Sequence, residues 1–176
     1  LPSGTVERLT QDAYTELQPA WSPDGRSIAY VTDRFTTDLS ALEFGELRLA
    51  LIDPTTRAST PLRAFDTGKH LNPQWSPDGA TLSFISDHDQ VSNVYRLTLA
   101  DGRLEPITRL SNGLTGIGKA SPALSIARDG RMVFSVLQDG GYQLYVSETP
   151  TADRSGDPDQ ARAERTASPF MPSPRT

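Results

Sequence analysis

The chain has 176 residues, a formal net charge of −5 and no cysteine. That length is enough for one domain with a core of its own. The acidic balance, with Lys69 and Lys119 as the only lysines and the arginines scattered, excludes a nucleic-acid surface, which needs clustered positive charge. Without cysteine there is no disulfide framework, zinc ribbon or thiol nucleophile, and no apolar run approaches the roughly 20 residues of a membrane-spanning helix.

The opening residues, LPSGTVERLT, lack the basic start and apolar core of a signal peptide, and read as a chain that begins inside a larger protein or after cleavage. Residues 4–10 (GTVERLT) resemble the later EPITRL and predict a lone fourth strand. Pro19 then leads to Trp21-Ser22-Pro23-Asp24-Gly25, a short strand ending in tryptophan and a tight turn. Serine, proline preset in φ, and glycine stand at the first, second and fourth places of a type I turn. A second strand over 26–32 is apolar almost throughout, as for a strand buried on both faces. A third, over 46–52, alternates Leu47, Leu49 and Leu51 with Arg48 and Ala50 and predicts half burial. After the turn Asp53-Pro54-Thr55-Thr56, a weak fourth strand near 59–63 closes the unit.

The whole order then recurs. Pro73 precedes Trp75-Ser76-Pro77-Asp78-Gly79, 54 positions on, followed by strands over 80–86, 93–99 and near 104–108. A third, degenerate copy begins at Ser121-Pro122-Ala123-Leu124-Ser125, where Leu124 stands for the tryptophan and two extra residues precede Asp129-Gly130; strands follow at 131–135 and 142–147. Such a period means one repeated supersecondary unit. Four antiparallel strands per unit, inner ones apolar and outer ones mixed, predict an all-β chain of β-propeller blades, with each tryptophan packed between neighbouring blades and Trp21, Trp75, Tyr30 and Phe84 in the core. About three blades are present over residues 1–148, a partial propeller, because closed rings take about 4–8. Either the chain is a fragment or copies self-associate through open blade faces. Residues 149–176 hold five prolines and few large apolar groups, and read as a Pro-rich linker or disordered tail.

In such blades the short turns SPDG, DPTT and ADG share one end, and the long, dissimilar loops over 32–45, 65–71, 87–92 and 111–120 share the other. Variable loops on a rigid scaffold are where binding lives. Phe35, Asp38, His70, Asp87, His88 and Asp89 fall there and form the candidate partner-binding set. Pro19, Trp21, Pro23, Asp24 and Gly25, with Pro73, Trp75, Pro77, Asp78 and Gly79, form the structural repeat, in which Asp24 and Asp78 shape turns. Asp87-His88-Asp89 has oxygen and imidazole ligands for a metal, but one such cluster with no matching ligand nearby reads as a solvated loop, so no metal or cofactor is expected. The glycines of 112–119 are wrongly spaced for a phosphate loop. A Ser-His-Asp triad would have to use His70 or His88, and no G-x-S-x-G elbow is present, so no catalytic residue is expected.

PAWSPDGRSIAYVTD and PQWSPDGATLSFISD resemble the WD-like propeller repeat of TolB and of the propeller domains in prolyl oligopeptidase family enzymes, over roughly residues 5–148. The run NGLTGIGKASPALSIARDGRMVFS also resembles the propeller segment of large bacterial envelope proteins. The resemblance implies a six- to eight-bladed ring in the periplasm or at the cell surface, and transfers no activity. It leads to a non-catalytic module that binds a protein or peptide, with membrane association only indirect, through further domains. The alternative is the substrate-gating propeller of a serine peptidase whose catalytic domain lies elsewhere.

Overall fold

The computed structural model describes residues 7–114, 118, 122–138 and 140–147. Among these residues eleven strands run in chain order: β1 Glu16–Trp21, β2 Ile28–Thr32, β3 Arg48–Ile52, β4 Ser59–Pro61, β5 His70–Trp75, β6 Thr81–Ser86, β7 Asn93–Thr98, β8 Leu104–Pro106, β9 Leu124–Ile126, β10 Met132–Gln138 and β11 Gly141–Ser147. They pair antiparallel with their sequence neighbours into sheets β1-β2-β3-β4, β5-β6-β7-β8 and β9-β10-β11. Among the described residues there is no helix. The tail expected over 149–176 and most of the glycine-rich link at 115–121 lie outside the described residues.

The repeated turn explains why β2 and β6 begin slightly later than the apolar pattern predicts. Gly25 N–H donates to the Ser22 carbonyl at 2.9 Å and Ser22 N–H to the Ser27 carbonyl at 2.8 Å, so Arg26 and Ser27 belong to the turn. Gly25 and Gly79 sit at φ +70° and +73°, where a side chain would be strained. Asp24 Oδ1 accepts from the Ser22 hydroxyl at 2.6 Å and from Arg26 N–H at 3.0 Å, and Asp78 repeats both bonds with Ser76 and Ala80. The serine hydroxyl, then the backbone N–H, hold both carboxyls below the usual carboxylate range.

One apolar core runs through all three sheets, with Val31, Leu49, Phe84, Leu97, Leu124 and Met132 among its members. A smaller one, Ile28, Tyr30, Ala50 and Ile52, lies on the outer face of the first blade. Its cover is the lead-in. Residues 7–11 form no strand; instead Leu9 packs on this cluster, and Arg34 ties Asp12 and Glu16 down beside it. With both faces covered, β3 buries Leu49, Ala50 and Ile52, and is not the half-buried strand that its alternation predicts.

The seams between blades use a repeated clasp. A bulge in β1 and another in β5 set Gln18 and Asn72 at φ 53° and 51°, just before Pro19 and Pro73. Proline has no N–H to lose at such a break in the ladder. The freed side chains reach into the next blade: Asn72 N–H donates to Gln18 Oε1, and Ala123 N–H to Asn72 Oδ1, each at 2.8 Å. Trp75 does pack between blades, its Nε1–H donating to the Ala20 carbonyl at 3.0 Å. Trp21 does not: it is 59% exposed, because it stands on the outward face of the first blade, and among the described residues no earlier blade packs against it.

The third blade corrects the expected register. Ala127 N–H closes its turn on the Arg131 carbonyl, as Ser76 N–H closes on Thr81, and Ile126 pairs with Met132 as Trp75 pairs with Leu82. Ile126 therefore occupies the tryptophan's place, and Leu124 lies two residues earlier. The two apparent extra residues vanish once Ala123 is matched with Asn72, the residue whose side chain it meets.

Candidate functional site

Since the strands alternate in direction, the loops after β2 and β6 and the links between blades gather at the end opposite the SPDG turns. At the seam of the first two blades this end is built tightly. Arg48 begins β3 and its guanidinium donates to the Gly68 carbonyl and, at 2.7 Å, to the Asp66 carbonyl, pinning the link between blades. Gly68, at φ +71°, passes so close to the next loop that a Cβ would lie 2.7 Å from His88 N and from Asp87 Oδ1. Asp87 Oδ1 accepts from Lys69 N–H at 2.8 Å, and its Oδ2 lies 2.7 Å from Lys69 Nζ. Partial burial opposes its charge, yet the lysine's hydrogen bonds and charge prevail and keep the carboxyl below its usual range.

His70 is not the loop residue that the sequence suggests. It opens β5, is 0% exposed, and donates its backbone N–H to the Leu47 carbonyl of the first blade at 2.9 Å. Its ring stands edge-on to Phe84 at 5.4 Å and Phe65 at 6.2 Å, and neither ring nitrogen has a hydrogen-bond partner. Burial first, then the charge of Arg48, lowers its pKa from 6.5 to about 4, so the ring is neutral. His88 lies flat on Phe65, ring centroids 3.6 Å apart and planes 14° off parallel. Tyr95 meets both edge-on, at 4.8 Å from Phe65 and 5.0 Å from His88, and its hydroxyl donates to Asp89 Oδ2 at 3.4 Å. Burial, then the Asp89 carboxylate, pushes the Tyr95 phenol up to about 12.

Thus four of the six expected residues, His70, Asp87, His88 and Asp89, do gather, around Phe84, which lies in the core as expected, and two aromatic residues that sequence reasoning missed, Phe65 and Tyr95. Each of the four is already engaged in packing or pairing with its own neighbours. Nothing in the local pattern around Phe65 or Tyr95 marks them; only the fold brings them to His88.

Phe35 and Asp38 stand apart, on the loop over 33–47 of the first blade. Its base is fixed: Thr15 N–H donates to buried Asp33 Oδ1 at 2.8 Å, and the Thr36 hydroxyl to the Glu46 carbonyl at 2.7 Å. Asp38 and Glu43 exchange backbone bonds of 2.8 and 3.0 Å, making a small hairpin. Asp38 Oδ1 accepts from the Ser40 hydroxyl and from the N–H groups of Ser40 and Ala41, with the hydroxyl first in holding the carboxyl below its usual range. The result is an ordered loop that shows water three large apolar side chains, Phe35, Leu42 and Phe44, the last 75% exposed. Leu42 and Phe44 were absent from the expected set; their being large apolar residues inside a polar loop was the available signal. Chemically the end offers apolar contact area and anchored carboxylates.

No family model matches the chain. Among solved structures, a TolB protein from Agrobacterium tumefaciens aligns over 78% of this chain and 46% of its own, with a TM-score of 0.57 and 19% identity. The fold is that of a partial β-propeller, shared with TolB. A puromycin-hydrolyzing peptidase of Mycobacterium tuberculosis has a TM-score of 0.60 and 21% identity over 83% of this chain and 22% of that one. In sequence, Dipeptidyl-peptidase 5 of Porphyromonas gingivalis is 29% identical over 114 residues, which is 62% of this chain. The chain spans only 16% of the length of that peptidase. The likeness to the solved structures is one of fold, and this chain covers less than half of either of them.

Proposed function

We propose that this propeller segment is a non-catalytic binding and scaffolding module of a TolB-like propeller in the bacterial envelope, periplasmic or cell-surface, with a protein or peptide as partner. The observation that carries this reading is the loop over 33–47. It is anchored at its base by Asp33 and Thr36 yet displays Phe35, Leu42 and Phe44 to solvent. Apolar groups held out on a fixed scaffold lose little freedom on binding and give area to a partner. Both histidines are committed to packing within the blade seam, which suits a module that binds and does no chemistry of its own. Residues 1–148 act as the binding segment, and 149–176 as a linker or tail.

A second reading is favoured by the match with Dipeptidyl-peptidase 5: these blades are the substrate-gating part of a prolyl oligopeptidase family serine peptidase. A hydrolase domain in the same polypeptide would decide for it. Selection of a phage-displayed peptide library against the chain, followed by hydrogen exchange with one selected peptide, tests the first reading. Protection over 33–46 supports it. Protection centred on Asp24 and Asp78, with 33–46 unprotected, overturns it.

A further inference from the structure

The loop over 33–47 departs from ordinary loop chemistry in two places. Leu42 sits at φ 56°, a left-handed conformation that strains a branched side chain and that glycine or asparagine adopts more readily. No burial offsets the strain, because Leu42 is 72% exposed. Such strain persists where the residue serves a contact, and Leu42 packs on none of the core clusters of its own chain.

The second departure is electrostatic. Asp38 and Glu43 face each other in an isolated antiparallel bridge. Residues directly opposite in such a pair set their side chains on the same side, and like charges there repel. No cation of the loop answers them. Arg34 is its only basic residue and is held by Asp12 and Glu16, while Arg48, just past the loop, donates to the Asp66 and Gly68 carbonyls. Asp38, Glu43 and Glu46 are all exposed, and among the described residues none of them has an ion-pair partner. Glu43 lies between Leu42 and Phe44 in sequence, so apolar and acidic groups alternate along one short stretch.

Resting on the binding role proposed above for this loop, we infer that its partner is a short peptide segment of a separate protein in which apolar residues are flanked by lysine or arginine. The apolar residues of the segment cover Leu42 and Phe44. Its cation lies against Asp38 and Glu43 and turns their repulsion into attraction. Complementary charge of this kind also selects among partners. The three carboxylates repel phosphate, so they disfavour an anionic lipid surface. The loop is already fixed at its base, so little freedom is lost when the segment docks.

Peptides selected from a random phage-displayed library test this, first on the 176-residue chain and then on the double variant Asp38→Asn, Glu43→Gln. The amides keep an acceptor oxygen and lose the charge. Peptides that protect 33–46 from hydrogen exchange should be rich in lysine and arginine beside apolar residues when selected on the parent chain, and should lose that excess on the double variant. Replacing the basic residues of one such synthetic peptide by glutamine should weaken its binding at least about 10-fold at low salt, and the difference should shrink as salt rises. Leu42→Gly should weaken the same peptide by about 10-fold or more without lowering the urea midpoint, since glycine adopts φ 56° without strain. Peptides that protect 33–46 but carry no basic excess, or that bind the double variant equally well, overturn the inference and leave the binding role standing. Selected peptides that leave 33–46 unprotected overturn both. Protection of 33–46 by phosphatidylglycerol vesicles would overturn the basic partner in favour of an anionic surface.

Discussion

Gln18 and Asn72 occupy the same place in successive blades, and the first holds the second: Gln18 Oε1 accepts the Asn72 backbone N–H at 2.8 Å. Asn72 is buried, so no water replaces the bond if the acceptor is lost. Gln18→Ala keeps a Cβ at φ 53°, a left-handed conformation that both residues adopt only under constraint, and removes the acceptor together with an exposed 3.5 Å contact of the side-chain amide to the Gly118 carbonyl. It should destabilise the chain by about 1–3 kcal/mol, the cost of an unsatisfied buried donor, as read from urea unfolding midpoints. A loss below about 0.5 kcal/mol would mean that the clasp is incidental.

The two repeat tryptophans should answer differently to the same change. Trp75 bridges two blades and donates to Ala20, so Trp75→Ala should cost about 3 kcal/mol, at the low end for a buried aromatic because it is only partly buried. Trp21 is mostly exposed, so Trp21→Ala should cost under about 1 kcal/mol. Equal losses would show that Trp21 is as well packed in solution as Trp75.

Acid should loosen the seam through His70. Its folded pKa of about 4 lies below the ordinary 6.5, so the unfolded chain binds the proton first. The stability from keeping the ring neutral is complete above pH 6.5 and is lost as pH falls toward 4, by up to about 3 kcal/mol. The lowered carboxyls of Asp24, Asp78 and Asp87 work in a separate window, below their ordinary 3.8. Unfolding curves at pH 7, 5.5 and 4.5 should therefore converge for His70→Leu and fan out for the parent chain. Parallel behaviour of the two would remove His70 as the cause.

Substitutions in the exposed loop should separate binding from stability. Leu42→Ser and Phe44→Ser should change unfolding free energy by no more than about 0.5 kcal/mol, since both side chains face water. They should abolish capture of peptides selected on the parent chain. His88→Ala should lower both, because its ring is stacked on Phe65. Retained capture by the Leu42 and Phe44 variants would move the binding surface elsewhere.

The repeat made the blades legible: eleven strands, their order and the SPDG turns follow from spacing and turn chemistry that act within a few residues. What stayed hidden depends on contacts between residues more than 50 positions apart. Nothing near Gln18 or Asn72 tells that a bulge will turn their side chains into the next blade. The degenerate unit hides its register for a related reason: Leu124 lines up with the tryptophan by proline spacing, but Ile126 does so by strand register, which only Met132 across the sheet defines. His70 was misplaced because its loop and its strand are the same few residues in sequence, and burial on the strand side cannot be read from composition. The outward position of Trp21 likewise depends on what stands beside the blade, not on the blade.

The distribution of bonds also orders events in time. Within a blade, each strand pairs with its immediate successor, while the clasp from Gln18 to Asn72 spans 54 residues and that from Asn72 to Ala123 spans 51. Short connections lose little entropy on closing and long ones lose more. Each sheet can therefore zip up alone, with seams locking afterward. An emerging polypeptide of this design needs no distant partner to begin, and another unit could be appended by duplication without disturbing those already in place.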